Sequence, residues 1–409
     1  MRILILNTYF SPFRGGEFIS YNTFKMLREH GVKVYFMANT KQPYFESDYE
    51  YIKYFTKDIT FIKEYLKNPL RYYYNIKAKK DVQKFIDIIK PDLIHVHQFI
   101  TGFSPLVLDC FKGIPTIMTV HDCGIICPAS TLMYKNREYC KNVKCKSGKF
   151  INCLLNKCDR DGIEGSMRKT IRSYIIPPKL KYIDRFITPS KALKEVLINA
   201  NIGIKEENVF VINNFLLNDE IKTEPNYLNQ GYFLYVGSLS KEKDVHCLLH
   251  AMKKLPKDIK LHIVGAGHEE KKLKHYAEEN NLTNVEFLGF KNREEIKEEY
   301  QNCIAVIVPS NWFEIFGMVN IEAMINGKPV IGSNIGGIPE IVENDKTGLL
   351  FEPANVEQLK DCILKYRNNP VLAIEHGKNG YKKVLENYTE EIYYNKLISL
   401  YDEVLKRET

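Results

Sequence analysis

The sequence predicts an α/β protein made of two doubly wound, Rossmann-like domains. Three observations carry that prediction. At 409 residues the chain exceeds the roughly 100–200 residues of one compact domain. Its apolar runs are short, continuous and separated by helix-length stretches, the pattern of parallel strands buried on both faces. The alternation halts at the polar stretch Leu217–Gln230 and then restarts.

The first strand is the β-branched and leucine-rich run over residues 2–7. A loop with Pro12, Gly15 and Gly16 leads into a helix that Gly31 closes, and Val32–Ala38 reads as the next strand. Further strands are expected at Leu93–Val96, Thr116–Val120, Phe186–Thr188 and Val209–Ile212. After the polar stretch they recur at Tyr232–Val236, Lys260–Val264, Val285–Leu288, Ala305–Val308 and Pro329–Gly332. Helices are read at Cys247–Lys254, Glu269–Asn280 and Val319–Asn326, with another after Tyr388. The expected division is a first domain over 1–220, a second domain over 221–387, and a terminal helix over 388–409 that packs back on the first. Two such sheets are expected to face each other across a cleft, with ligand at their carboxyl ends.

Composition narrows the class. Hydrophobic residues at 44% and charged residues at 26% describe a folded chain rather than a disordered one. No apolar run reaches the roughly 18 residues of a spanning helix. The opening Met1–Asn7 turns polar too soon for a signal peptide, so a cytoplasmic location is expected. The net charge of +8 is divided: residues 1–225 hold 35 Lys and Arg against 23 Asp and Glu, and the remainder 23 against 27. A basic half suits an anionic membrane, an acidic substrate or nucleic acid.

The segment Pro309–Ala323 starts where a buried strand ends and becomes a helix. Glu314 precedes that helix and Glu322 lies inside it, eight residues on. A helix start offers N–H groups that suit a phosphate, and Gly317 allows close approach there. Glu322 is placed to accept hydrogen bonds from ribose hydroxyls. Gly336-Gly337 before Pro339 fits a turn opening a short helix. Lys243, beyond the strand that ends in Gly237-Ser238, offers a point charge for a diphosphate. Gly15-Gly16 leaves room at a helix start but lacks the third glycine of a dinucleotide fingerprint. His121-Asp122 sits at a strand's carboxyl end, where a histidine can donate to a sugar hydroxyl; His95 and His97 share one face of another strand.

These pieces, in this order, resemble the retaining, nucleotide-sugar-dependent glycosyltransferases of the GT-B type, specifically family 4, over nearly the whole chain. The match is strongest from Tyr235 to Leu350, in Ile263-Val264-Gly265-Ala266-Gly267, Val285–Gly289, Glu314-x7-Glu322-Ala323-Met324, Gly327–Ile331 and Gly336-Gly337. The resemblance implies Glu314 near the donor sugar, the backbone of Phe316, Gly317, Met318 and Val319 on the diphosphate, and Glu322 on the ribose. It implies Lys243 against the leaving diphosphate, with Gly237 and Ser238 also in the donor site. Gly15 and Gly16 would approach the diphosphate, and His121 the donor sugar. The implied reaction moves a sugar from a UDP- or GDP-sugar to a polysaccharide or lipid-linked acceptor with retention, in cell-surface glycan synthesis. No cofactor is required for it and no nucleic-acid partner is expected. Two positions depart from the family: Ser238 stands where Arg is usual, and Asp244 where Gly is usual. Ser238 leaves open a non-catalytic module binding a nucleotide sugar or nucleic acid; the same architecture also serves nucleotide-sugar epimerases.

Six of the ten cysteines fall between residues 123 and 158, in a segment (about 123–163) that resembles an insertion of this family. Cys140, Cys145, Cys153 and Cys158 form two x4 pairs that suit a structural zinc ion, with Cys127 a competing ligand. Iron–sulfur ligation, free buried thiols and, outside the cytoplasm, disulfides are the alternatives. Lysines crowd the same segment, and residues 41–80 mix nine Lys and Arg with eleven Tyr and Phe. Such interleaving suits single-stranded nucleic acid or a solvated charged face as well, and the expectation is peripheral contact with an anionic membrane, at the inner face of the plasma membrane.

Overall fold

The computed structural model describes residues 1–11, 15–40, 52–56, 69–100, 102–135, 138–159, 161–222, 224–228 and 231–406. Most of the basic and aromatic segment 41–80 lies outside these residues. The chain forms two compact units, Met1–Asn213 with Tyr393–Thr409, and Asn214–Ile392. The expected boundaries fell at 220/221 and 387/388, a few residues from these.

The first unit is built on a parallel sheet. Its strands are β1 (Arg2–Tyr9), β2 (Lys33–Thr40), β3 (Ile52–Thr56), β4 (Leu93–Val96) and β5 (Thr116–Thr119). A small antiparallel hairpin follows, β6 (Met133–Tyr134) with β7 (Glu138–Tyr139), and then β8 (Arg185–Thr188) and β9 (Val209–Val211) rejoin the main sheet. The order is β3-β2-β1-β4-β5-β8-β9. Ile3 to Leu6 are fully buried, which explains why β1 carries no polar alternation. The terminal segment from Tyr393 contributes Tyr401, whose hydroxyl lies 2.6 Å from His95 Nδ1 on β4.

The second unit repeats the plan with six parallel strands: β10 (Tyr232–Val236), β11 (Lys260–Val264), β12 (Val285–Gly289), β13 (Val306–Val308), β14 (Val330–Ser333) and β15 (Gly348–Phe351). Their order is β12-β11-β10-β13-β14-β15. One side of this sheet packs on the helices Val245–Lys253 and Val356–Asn368 through Phe233, Leu248, Met252, Ile263, Leu359 and Tyr366.

In each unit the order reverses beside the first strand, between β1 and β4 and between β10 and β13. Neighbouring crossovers there run to opposite faces and leave a crevice at the carboxyl ends. The loops carrying His121 and Gly16 in one unit, and Lys243 and Glu314 in the other, leave their sheets at these ends. Among the described residues no helix is long and apolar enough to cross a membrane.

Candidate active site

In the second unit the loops after β10 and β13 bring Lys243 and Glu314 together. Lys243 Nζ donates to Glu314 Oε2 at 2.6 Å. The same oxygen accepts from Ser310 Oγ at 3.1 Å and from the indole N–H of Trp312 at 3.4 Å. Trp312, the chain's one tryptophan, also lies under the Lys243 ammonium, 5.8 Å from ring centroid to Nζ. Burial alone would raise the Glu314 carboxyl, but the Lys243 charge and these hydrogen bonds outweigh it and hold the group below its usual range. Glu314 is thus a fixed anion. Sequence reasoning passed over Ser310 and Trp312, although both sit within four residues of Glu314.

The helix Met318–Ile325 begins four residues after Glu314, with Gly317 at its N-cap (φ +90°). Asn320, fully buried, ties its amide to the Gly317 carbonyl at 2.9 Å and so fixes this turn. The helix start leaves N–H groups without helical partners beside Phe316, Gly317, Met318 and Val319. Glu322 lies one face further on, where the buried Tyr300 hydroxyl donates to its Oε2 at 2.9 Å. Burial, and after it the like charge of Glu220, push the Glu322 carboxyl up to about 7.

Gly336 and Gly337 turn out to be more than a turn. Gly337 N–H donates to the Glu314 carbonyl at 2.7 Å. A Cβ on Gly336 would lie 2.2 Å from that carbonyl oxygen, and one on Gly337 would lie 2.8 Å from the Ile315 oxygen. The pair presses against the backbone that presents Glu314.

The two departures differ in character. Asp244 takes a left-handed conformation (φ 46°, ψ 46°) and caps the helix Val245–Lys253 by accepting from Cys247 N–H at 3.2 Å. The position demands positive φ, which glycine meets by freedom and aspartate by local bonding. The Asp244 carboxylate serves as a helix cap. Ser238 is exposed and lies 3.3 Å from Ser240 through their hydroxyls, with Gly237 before it.

In the first unit His121 Nε2 and His97 Nδ1 are 2.7 Å apart, with the rings stacked at 5.0 Å. His95 continues the group, 2.7 Å from Thr119 Oγ1. Burial lowers all three imidazoles, His121 to about 4 and His95 to about 3, so they are neutral at pH 7. A neutral His121 can hydrogen-bond a hydroxyl but brings no charge. Gly16 makes room for it: a Cβ there would lie 2.6 Å from His121 Cγ. Gly15 opens the same helix and faces open space.

None of the ten cysteines is joined in a disulfide. Cys153 and Cys158 share a thiol hydrogen bond, which raises the first and lowers the second to about 7. Cys127, Cys140 and Cys145 are near enough to affect one another's ionisation. Among the described residues no three or more Cys, His, Asp or Glu form a group able to hold a metal ion, and this includes Cys140, Cys145, Cys153 and Cys158.

Comparison with known proteins bears on both units. Residues 13–216 match the family described as Glycosyltransferase Family 4, and residues 218–383 match Glycosyl transferases group 1. An uncharacterised glycosyltransferase of Methanocaldococcus jannaschii is 29% identical over 382 residues, which cover 93% of this chain and 92% of the relative. The poly(ribitol-phosphate) α-N-acetylglucosaminyltransferase of Staphylococcus aureus is 28% identical over 201 residues, 48% of this chain and 40% of that one. Among solved structures, Anabaena HepE in complex with UDP aligns with a TM-score of 0.72 at 19% identity, over 98% of this chain and all of that one. Sucrose-phosphate synthase from Thermosynechococcus elongatus aligns with a TM-score of 0.74 at 20% identity, over 99% of each chain. The chain belongs to the family 4 glycosyltransferases and has the GT-B fold.

Proposed function

We propose that this glycosyltransferase moves a hexosyl group from a UDP- or GDP-sugar to a glycan or lipid-linked acceptor, with retained configuration, in the building of a cell-surface glycan. The observation that carries the donor assignment is the arrangement in the second unit: Lys243 on Glu314, a helix start four residues on, and Glu322 within that helix. The helix start and Lys243 bind the diphosphate, Glu322 accepts from the ribose hydroxyls, and Glu314 faces the sugar. Lys243 then stabilises the charge that grows on the departing diphosphate. With same-face attack by the acceptor, catalysis rests on positioning and fixed charge. The first unit is the acceptor side, where neutral His121 bonds a sugar hydroxyl.

Donor binding provides the test. The cognate UDP- or GDP-sugar should raise the melting temperature, because a ligand that binds only the folded state stabilises it. Affinity should also depend on pH through Glu322. Below its pKa of about 7 the carboxyl is protonated and is a poorer acceptor for two hydroxyls. Affinity should therefore rise by up to about tenfold between roughly pH 6 and 8, and Glu322→Gln should flatten the profile. A flat wild-type profile removes Glu322 from the ribose. No stabilisation by any UDP- or GDP-sugar overturns the donor assignment. Proton NMR of the product's anomeric centre tests retention.

Membrane contact has a specific surface in support. On the helix Gly162–Ile175, Ile163, Met167, Ile171 and Tyr174 follow helical spacing and are between 47% and 59% exposed. The neighbouring helix Ile151–Leu155 adds exposed Ile151 and Leu155. Exposed Lys144, Lys146, Lys149 and Lys157 flank that helix. An apolar stripe rimmed by cations suits an anionic bilayer surface. Vesicles with anionic lipid should float the protein at low salt, and Met167→Glu with Ile171→Glu should reduce the bound fraction severalfold. Absence of wild-type flotation at low salt overturns the assignment.

A further inference from the structure

We propose that the first unit contains an anion-recognition subsite centred on Arg172, which reads a carboxylate or phosphate on the sugar or polyol that accepts the transferred residue. The proposal rests on the reading of this unit as the acceptor side, and names the chemical class of acceptor.

The starting observation is a buried cation with no direct ion pair among the described residues. Arg172 is only 5% exposed, on the helix Gly162–Ile175. Its guanidinium donates to the Tyr72 hydroxyl and lies 5.1 Å over the Tyr72 ring. Its buried Nε has no hydrogen-bond partner, and among the described residues the group makes no direct ion pair. Burying a charge is costly unless it is paired. The nearby carboxylates do not pair it. Asp122 binds Gly124 N–H at 2.6 Å and Gln98 Nε2 at 3.5 Å, and burial pushes its carboxyl up toward the neutral form. Asp159 is committed to Lys169, 2.6 Å from its Nζ, and Asp161 lies 3.3 Å from the same ammonium.

The second observation is space. Arg172 lines a cavity of about 300 Å³ that also reaches His121, Asp122, Ser130 and Thr131. That volume is at the lower end of the roughly 300–1,000 Å³ of small-ligand sites. His97 lines it as well, and its buried Nε2 has no partner. One compartment thus holds a guanidinium with no direct ion pair, an unpartnered imidazole nitrogen, two hydroxyls and the histidine assigned to the sugar. A planar guanidinium matches a carboxylate or phosphate with paired hydrogen bonds. The hydroxyls and imidazoles suit the ring or polyol that carries the acid. A purely structural Arg172 would hold Tyr72 and make no distinction among acceptors.

The test compares three probes with the full-length protein by ligand-observed NMR titration: methyl glucuronoside, glycerol 1-phosphate and neutral methyl glucoside. At least one acidic probe should bind about tenfold or more tightly than methyl glucoside, and the better of the two identifies carboxylate or phosphate as the group read. Arg172→Gln should erase this preference and Arg172→Lys should keep part of it. Equal affinity for all three probes in the wild type overturns the proposal, whether or not the variants fold. A preference that survives in folded Arg172→Gln also overturns it. UDP- and GDP-sugar melting shifts on the same protein separate the two readings. Acid preference with no donor shift leaves the subsite standing and removes the donor assignment, whereas a donor shift with no acid preference removes the subsite alone.

Discussion

Lys243→Ala should lower sugar transfer by about 10²–10³-fold, the loss seen when one preorganised stabilising group is removed from a transition state. The reason lies in what Lys243 faces. Its ammonium is 2.6 Å from a buried carboxylate and only 25% of the side chain is exposed, so its charge acts where water screens poorly. Glu314→Ala should have an effect of similar size, by removing the group that fixes the ammonium in place. The two losses should not add, because each variant disrupts the same unit. Near-normal transfer in both variants would remove this pair from the chemistry.

Stability gives an independent check. Removing one member of a buried ion pair strands the other, at a cost of about 3–5 kcal/mol. Glu314 is ionised in the folded state at lower pH than its usual 4.5. Its stabilisation is therefore present above that value and is lost as pH falls through the depressed one. The acid limb of the wild-type unfolding curve should flatten in Glu314→Gln, which keeps a hydrogen-bond acceptor for Ser310 and Trp312 but loses the charge.

Much of this was legible in the sequence, and the reasons for what was not are physical. Strands such as Ile3–Leu6 and Val306–Val308 can be read because burial on both faces demands continuous apolar residues. The Glu314–Glu322 spacing is local, within one loop and one helix. By contrast β15, Gly348-Leu349-Leu350-Phe351, is short and lacks β-branched residues, so nothing local marks it as a strand. Tyr300 reaches Glu322 from another helix, and Tyr401 reaches His95 across 306 positions; no sequence period encodes such pairs. Nothing in the local sequence marks Arg172 as the buried one among the basic residues of its half. The left-handed backbone of Asp244, where the family has Gly, is likewise announced by no local residue pattern. Composition reports how much charge a surface carries, and only packing says which charges are left without a partner.

Gly336→Ala should abolish most transfer without altering any side chain that meets the substrate. Two costs combine at this position. The backbone is left-handed, φ +59°, which costs a residue with a Cβ about 1–2 kcal/mol. The added carbon would also stand 2.2 Å from the Glu314 oxygen and 2.7 Å from its nitrogen, a clash with main chain that no rotamer can relieve. Overpacking of this kind costs about 1–3 kcal/mol, and it is relieved by moving the Glu314 loop. A displacement of about 1 Å in a catalytic group is worth about 10²-fold in rate, so kcat should fall by that order while the melting temperature drops by several degrees. Gly113→Ala serves as the control. It shares a positive φ, +76°, but a Cβ there meets nothing within 4 Å, so it should lose stability alone. If Gly336→Ala loses only stability, as the control does, the glycine pair sets a turn and not the position of Glu314. A fall in kcat for Gly336→Ala alone makes the close approach of these two loops the device that holds the carboxylate.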